Sequence, residues 1–287
     1  MKNTLKEKLQ HHQQPIGTFF ELGSPNAAEA LGHTGLDFII IDNEHGPFEA
    51  ESTLSFVRGA ELGGVCPLAR VREVSRPAVL KLLDIGVKGL IVPNIHTIEQ
   101  VTELVSYAKF APIGNRGFCP TRKDAWGYAY PATESVAENM AVCNAETLLI
   151  PQCETIGCLE QIEAITALDG VDGIFIGPFD LSISMGIPGQ FEHPDFQAAL
   201  QRILNACHQN GKFCISFTVQ PDAVAAGFLQ GFDAMAYGLD AAVLVQAYRT
   251  LIAQVRAQQY RPFCSSHSCG SIAPVRVFCT AGFACGG

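Results

Sequence analysis

Eight short apolar runs recur along the chain, and they constrain the fold more than any other feature. None of them alternates between apolar and polar residues, which is typical of strands that are covered on both faces. Segments with helical character separate them, and one barrel domain of this kind takes about 250 residues of the 287 present. The order predicts a (β/α)8 TIM barrel, an α/β fold, as a single domain over residues 1–261. The predicted strands are Gly17–Leu22, Phe38–Asp42, Cys66–Val71, Gly89–Pro93, Leu148–Gln152, Gly173–Gly177, Phe213–Thr218 and Ala234–Gly238.

Composition excludes several classes of function. The formal net charge of −9 opposes nucleic-acid binding, because a nucleic-acid partner needs a basic face. The N-terminal segment MKNTLKEKLQHHQQ has no apolar run of the secretory type, and no stretch is apolar enough for a membrane helix. We therefore expect a cytoplasmic protein without a membrane partner. Free thiols are expected at the scattered cysteines, which are Cys66, Cys119, Cys143, Cys153, Cys158, Cys207 and Cys214.

The C-terminal segment, residues 262–287, changes abruptly in composition. It holds the other four cysteines and shows no helical periodicity. Cys264, His267, Cys269, Cys279 and Cys285 offer zinc-ligand chemistry, but their spacings match no familiar zinc module. The prediction is a disordered or weakly packed extension.

Polar side chains follow four of the predicted strands, at the end where barrel enzymes carry their catalytic residues. They include an imidazole, a guanidinium and several carboxylates, which should converge on one rim. The residues are Asp42, Glu44 and His45 after the second strand, Arg70 on the third, Gln152 and Glu154 on the fifth, and Asp180 on the sixth.

The types of these residues indicate a metal-assisted reaction. Glu154 and Asp180 come from adjacent strands, and two carboxylates that leave room for water and substrate suit Mg²⁺ or Mn²⁺. Arg70 is expected to clamp an oxyanion, and His45 to act as a general base. The imidazole needs an orienting acid, for which both Asp42 and Asp84 are candidates, since spacing alone does not choose between them.

Lysines are missing where a Schiff-base enzyme would need one. Lys88 and Lys212 precede strands, while Lys81 and Lys109 belong to helices. Lys123 alone, in the long loop of residues 110–131, has the reach. A mobile loop positions a nucleophile poorly, so the pattern favours metal chemistry.

The same loop, placed after the fourth strand, predicts how the second substrate binds. It carries Arg116, Arg122 and Lys123 close together in an acidic chain. Arg122 is expected to bind a carboxylate through its planar fork, which implies a substrate with a second carboxylate far from the reacting end. The alternative is a cluster of solvated surface cations.

The ordered motifs IDNEHGP, LLDIGVKGLIVPNI, PIGNRG, the Gln152–Thr155 segment and VDGIFIGPFDLS resemble the HpcH/HpaI aldolase family of metal-dependent class II pyruvate aldolases. The resemblance runs over residues 15–258. Four positions depart from the family pattern, and there we expect an altered acceptor pocket: Asn43, Phe118-Cys119-Pro120, Phe179 and Ser216-Phe217.

The resemblance implies roles residue by residue. His45 matches the catalytic base, Arg70 the residue that stabilises the enolate, and Asp84 the acid that raises the basicity of the histidine. Glu154 and Asp180 match the ligands of a divalent metal (Mg²⁺, Mn²⁺ or Co²⁺). Gln152 and the backbone at Phe179, next to Asp180, match positions that hold pyruvate.

The implied reaction cleaves, or forms, a 2-keto-3-deoxy or 4-hydroxy-2-oxo acid. Its products are pyruvate and an aldehyde, and the enolate is stabilised by the metal. A homo-oligomer, as a hexamer, is implied as well. One alternative within the family is a condensing enzyme such as a siderophore-pathway citrate synthase, which joins oxaloacetate and acetyl-CoA. Another alternative is a binding or assembly protein without catalytic activity. The complete set of polar residues at the strand ends argues against it.

Overall fold

The structure is a computed structural model that describes residues 2–259. Within them, eight parallel strands close into a barrel in which β1 pairs with both β2 and β8. The predicted (β/α)8 TIM barrel is therefore confirmed, with strand bounds within two residues of those expected. The strands are β1 (Ile16–Phe20), β2 (Phe38–Asp42), β3 (Cys66–Arg70), β4 (Gly89–Val92), β5 (Leu148–Cys153), β6 (Gly173–Ile176), β7 (Phe213–Thr218) and β8 (Ala234–Leu239).

Helices alternate with the strands and begin where capping residues allow. Thr97 and Gln100 form a capping box at the start of α5, and Ser75 caps α4 through the backbone N–H of Ala78. At the start of the second helix, Ser24 occupies the N-cap position and Pro25 fits the first helical turn. The helices are α1 (Thr4–Gln10), α2 (Pro25–Gly32), α3 (Ala50–Gly63), α4 (Arg76–Ile85), α5 (Ile98–Ala108), α6 (Val136–Glu146), α7 (Ile156–Glu160), α8 (Ile162–Thr166), α9 (Pro178–Ser184), α10 (Pro194–Gln209), α11 (Pro221–Gln230) and α12 (Asp240–Gln259).

Apolar side chains form two layers. One fills the barrel, where the inward residues of the strands meet, and α1 contributes Leu5 and Leu9 to its amino-terminal end. The other lies between the barrel and the helices. Because both faces of each strand are buried in this way, the strands carry the uninterrupted apolar runs seen in the sequence.

The chain divides into two compact units, Met1–Gln246 and Ala247–Gly287. The first contains the barrel, and the described part of the second, residues 247–259, is helical. The predicted Cys-rich extension, residues 262–287, lies outside the described residues. The seven scattered cysteines are free thiols, and all but Cys119 are buried. No helix within residues 2–259 is long and apolar enough to cross a bilayer.

The long loop lies at the other end of the barrel from the one we expected. It follows α5 and leads through a short 3₁₀ segment, Arg122–Gly127, to α6 and β5. A helix in this fold returns the chain to the amino-terminal ends of the strands, so a connection from a helix to the next strand lies there. Within one protomer, the loop therefore lies away from the carboxyl-terminal rim, where we expected it to shape the acceptor side of the site.

Candidate active site

A cavity of about 410 Å³ opens at the carboxyl ends of the strands. Five of the predicted site residues line it: His45, Arg70, Gln152, Phe179 and Asp180. The remaining lining residues described are Phe19, Glu21, Phe175, Gly177, Pro178, Phe217 and Leu239. No lysine is among the described residues that line this cavity.

Arg70 is held in the cavity by a buried ion pair. Its register partner on the neighbouring strand is Asp42, so the two side chains meet at the same level of the barrel. Asp42 is fully buried and accepts bonds from Nε of Arg70 at 2.9 Å and from Nη2 at 2.5 Å. Burial by itself lowers the pKa of Arg70, but the bonds to Asp42 together with the negative charges of Asp42, Glu44 and Glu154 outweigh it, and the net pKa is raised. The guanidinium is thus a fixed, fully charged donor, stacked 4.7 Å above the ring of Phe19.

His45 stands at the mouth of the cavity, with its side chain 68% exposed. Its nearest recorded acid is Glu44, with 3.7 Å between Nε2 and Oε2. Asp42 accepts the backbone N–H of His45 rather than a bond from its ring. Asp84 lies on α4 and forms an ion pair of 2.8 Å with Arg116. Within one protomer, therefore, the recorded bonds of Asp42 and Asp84 do not orient the imidazole.

Glu44 links His45 to Arg70. One of its carboxylate oxygens lies 3.3 Å from Nη1 of Arg70. Burial raises the pKa of Glu44, and the positive charge of Arg70 offsets part of this. The carboxyl group therefore holds a proton more readily than an exposed glutamate does.

Glu154 and Asp180 form the carboxylate pair expected from the sequence. Glu154 is buried, accepts the backbone N–H of Asn94 at 2.6 Å and bonds the side-chain amide of Gln152. Burial raises the pKa of Glu154, hydrogen bonds oppose this, and the charge of nearby Asp180 raises it further. A cation bound between the two carboxylates would relieve this repulsion of the Glu154 charge.

Three further observations bear on whether a divalent metal fits this pair. Oε1 of Gln152 is buried and has no hydrogen-bond partner in the described structure. A Cβ at Gly177 would come within 2.8 Å of both Gln152 and Glu154, so this position must lack a side chain to leave the space open. Among residues 2–259, no three His, Cys, Asp or Glu side chains surround a common point. The residues present fit an ion that takes two protein carboxylates and completes its shell from water and substrate.

Within one protomer, Arg122 does not border this cavity. Its guanidinium donates to the carbonyl of Ile85 at 3.0 Å and pairs with Glu61. Both partners end helices at the amino-terminal side of the barrel, opposite the cavity. Lys123 is buried against Asp124, and Arg116 is paired with Asp84. Within a protomer, these three cations serve the packing of the α5–α6 connection.

The sequence reasoning missed Glu21 and Phe19 among the residues that line the cavity. Glu21 follows β1, so the rule that polar residues at strand ends mark the site would have found it. Phe19 gave no such signal, because an aromatic residue in a buried strand is indistinguishable from core in the sequence.

Comparison with known proteins agrees with this architecture. Residues 15–247 match the family described as HpcH/HpaI aldolase/citrate lyase. The hydroxypyruvate/pyruvate aldolase of Cupriavidus necator is 35% identical, over 89% of this chain and 93% of its own. The 2-keto-3-deoxy-L-rhamnonate aldolase of Klebsiella pneumoniae is 31% identical, over 91% and 96%.

Solved structures agree as well. An HpcH/HpaI aldolase from Desulfitobacterium hafniense superimposes with a TM-score of 0.81 at 30% identity, covering 90% of this chain and 98% of that one. The citrate synthase SbnG superimposes with a TM-score of 0.80 at 25% identity, covering 90% and 99%. The chain belongs to the HpcH/HpaI aldolase/citrate lyase family, and it is a carbon–carbon lyase.

Proposed function

We propose that the chain is a divalent-metal-dependent aldolase that cleaves, or forms, a 2-keto-3-deoxy or 4-hydroxy-2-oxo acid to give pyruvate and an aldehyde. The observation that carries this proposal is the fixed Arg70 guanidinium, which faces the same cavity as Gln152 and Asp180. The names of the relatives, aldolases of pyruvate and of a keto-deoxy sugar acid, support it.

Each residue has a role that follows from its position. Arg70, held by Asp42, donates hydrogen bonds where negative charge develops on the 2-oxo group. Glu154 and Asp180 would hold Mg²⁺, Mn²⁺ or Co²⁺, which supplies a Lewis acid when bound. His45, open to water, moves the proton of the C4 hydroxyl group.

Hydrogen–deuterium exchange at C3 of pyruvate tests the proposal without any aldehyde. Chelation should abolish the exchange, and Mg²⁺, Mn²⁺ or Co²⁺ should restore it. Arg70→Ala should lose the exchange yet still bind Mn²⁺ in calorimetry, whereas Glu154→Ala should weaken Mn²⁺ binding first. Arg72→Ala, at an exposed arginine nearby, is the matched control. Borohydride with pyruvate should leave activity intact, and covalent inactivation at a lysine would refute the proposal.

A condensing enzyme is the second candidate. The likeness to the citrate synthase SbnG favours it specifically. Oxaloacetate with acetyl-CoA, assayed for release of free CoA, separates the two. Aldol cleavage without CoA release is expected, and the reverse result would favour the condensing enzyme.

We also propose a cytoplasmic homo-oligomer, as a hexamer. The support is the number of large apolar side chains exposed on α12, since contiguous exposed apolar surface marks protein–protein contacts. They are Val243, Leu244, Val245, Tyr248, Leu251, Ile252 and Val255.

A further inference from the structure

Four aromatic rings form a continuous wall that leads away from the reacting centre. The wall begins at Phe19, which lies beneath Arg70. The ring of Phe19 packs edge-on against Phe175 and Phe217, with centroid distances of 5.9 Å and 5.5 Å. Phe217 in turn lies 6.4 Å from Phe179. All four rings line the cavity that contains Arg70. A substrate whose 2-oxo acid end is bound at Arg70 would therefore lay its other end along aromatic faces.

The wall continues beyond the cavity. Phe179, which is 43% exposed, packs edge-on against Phe191 at 5.1 Å. A second cavity of about 480 Å³ shares Pro178, Phe179 and Phe217 with the first, and Phe191 and Val219 line it further out. The shared rings separate two spaces that are both bounded largely by apolar side chains. The first cavity, of about 410 Å³, by itself has room beside these rings for a substituent of the size of an aromatic ring.

The cavity offers little positive charge to a second anionic group. Arg70 is the sole arginine or lysine among the described lining residues, and Asp42 already pairs with it. Glu21 lines the same cavity, and burial, followed by the charges of Asp42 and Asp240, raises its pKa. Within one protomer, a carboxylate placed along the aromatic wall would therefore find no unpaired arginine or lysine, which disfavours its burial. The cations of the α5–α6 connection, as shown above, are paired elsewhere.

We propose that the aldehyde partner is neutral and carries an apolar substituent of aromatic size, which packs on Phe19, Phe217 and Phe179. This inference rests on the proposed aldolase function and names its second substrate. It replaces the expectation of a second carboxylate, because the anchor assigned to that group lies at the other end of the barrel. Contacts between aromatic rings contribute more binding free energy than the burial of their apolar area alone.

Binding is measured first, with probes that do not react and without added metal. Benzyl alcohol and 4-(hydroxymethyl)benzoate are matched in shape and differ in one carboxylate. Ligand-observed NMR should detect benzyl alcohol at the site and at least tenfold weaker binding of the benzoate. Phe217→Ser and the more exposed Phe179→Ser should each weaken the affinity for benzyl alcohol about tenfold. Glu21→Gln should reduce the difference in affinity between the two probes. Leu229→Ser, which removes an exposed apolar side chain that lines neither cavity, should behave as wild type.

Kinetics then uses the metal-loaded enzyme with pyruvate. We expect kcat/KM for benzaldehyde to exceed that for 4-formylbenzoate at least tenfold, and Phe217→Ser and Phe179→Ser to remove most of this preference. Equal or tighter binding of the benzoate probe, or equal turnover of the charged aldehyde, would overturn the inference. Failure of the proposed function has a different signature: C3 exchange of pyruvate would be absent, whatever the two alcohols do.

Discussion

At the scale of single residues, the buried pair of Asp42 and Arg70 should matter for both stability and chemistry. Asp42→Asn leaves the Arg70 charge buried without its counter-ion, which we expect to cost roughly 2–4 kcal/mol of unfolding free energy. Loss of the fixed orientation should also slow C3 exchange of pyruvate by about 100-fold. Urea unfolding and NMR exchange measure the two effects. Arg72→Gln, which breaks an exposed pair with Glu49, should cost less than about 1 kcal/mol, and an equal cost for both variants would contradict the argument.

Glu44 should give the stability of the protein a recognisable pH dependence. Its pKa is raised, chiefly by burial, so the folded state holds the proton more tightly than the unfolded state does. The stability that it contributes is therefore present below the ordinary pKa of glutamate and is lost as pH rises through the folded pKa. Relative to Glu44→Gln, the wild type should lose unfolding free energy as the pH rises above the ordinary pKa of glutamate, about 4.3. A pH-independent difference in urea unfolding would count against this.

At the scale of elements, the connections at the two ends of the barrel have different roles. Connections from strands to helices carry the site, while the α5–α6 connection anchors α3 and α4 through Arg122. Arg122→Ala should thus leave the ratio of kcat/KM for diacid and monoacid substrates unchanged and lower Tm by about 2–4 °C. Lys81→Ala, on the surface of α4, is the control. A selective loss for the diacid would instead show that Arg122 reaches a site on another protomer.

At the scale of the whole molecule, the exposed apolar side chains of α12 predict self-association. Leu251 and Val255 are four residues apart, so they lie on the same face of the helix. The double change Leu251→Glu, Val255→Glu should lower the mass measured by light scattering, because charges in an apolar contact are costly to bury. Gln254→Glu adds a charge to the same helix and should keep the wild-type mass. A wild-type protein that is already monomeric would rule the assembly out.

The barrel and the position of its rim follow from the order of the residues alone. Strands buried on both faces need uninterrupted apolar runs, so β2 and β7 could be predicted to the residue. Parallel strands bring their carboxyl ends to one edge, which placed His45, Arg70 and Asp180 around one cavity without any knowledge of contacts. Both results follow from local pattern and chain direction, which the sequence contains.

Contacts between side chains that are distant in the sequence depend on the tertiary structure. The pairing of Asp84 with Arg116, and of Arg122 with Glu61, depends on how a long connection packs against helices distant in sequence. The aromatic wall depends in the same way on closure of the barrel. Phe19 on β1 meets Phe217 on β7 because β8 pairs with both strands when the barrel closes. A side chain's neighbours across such distances are set by packing of the whole fold, and no periodicity in the sequence encodes them.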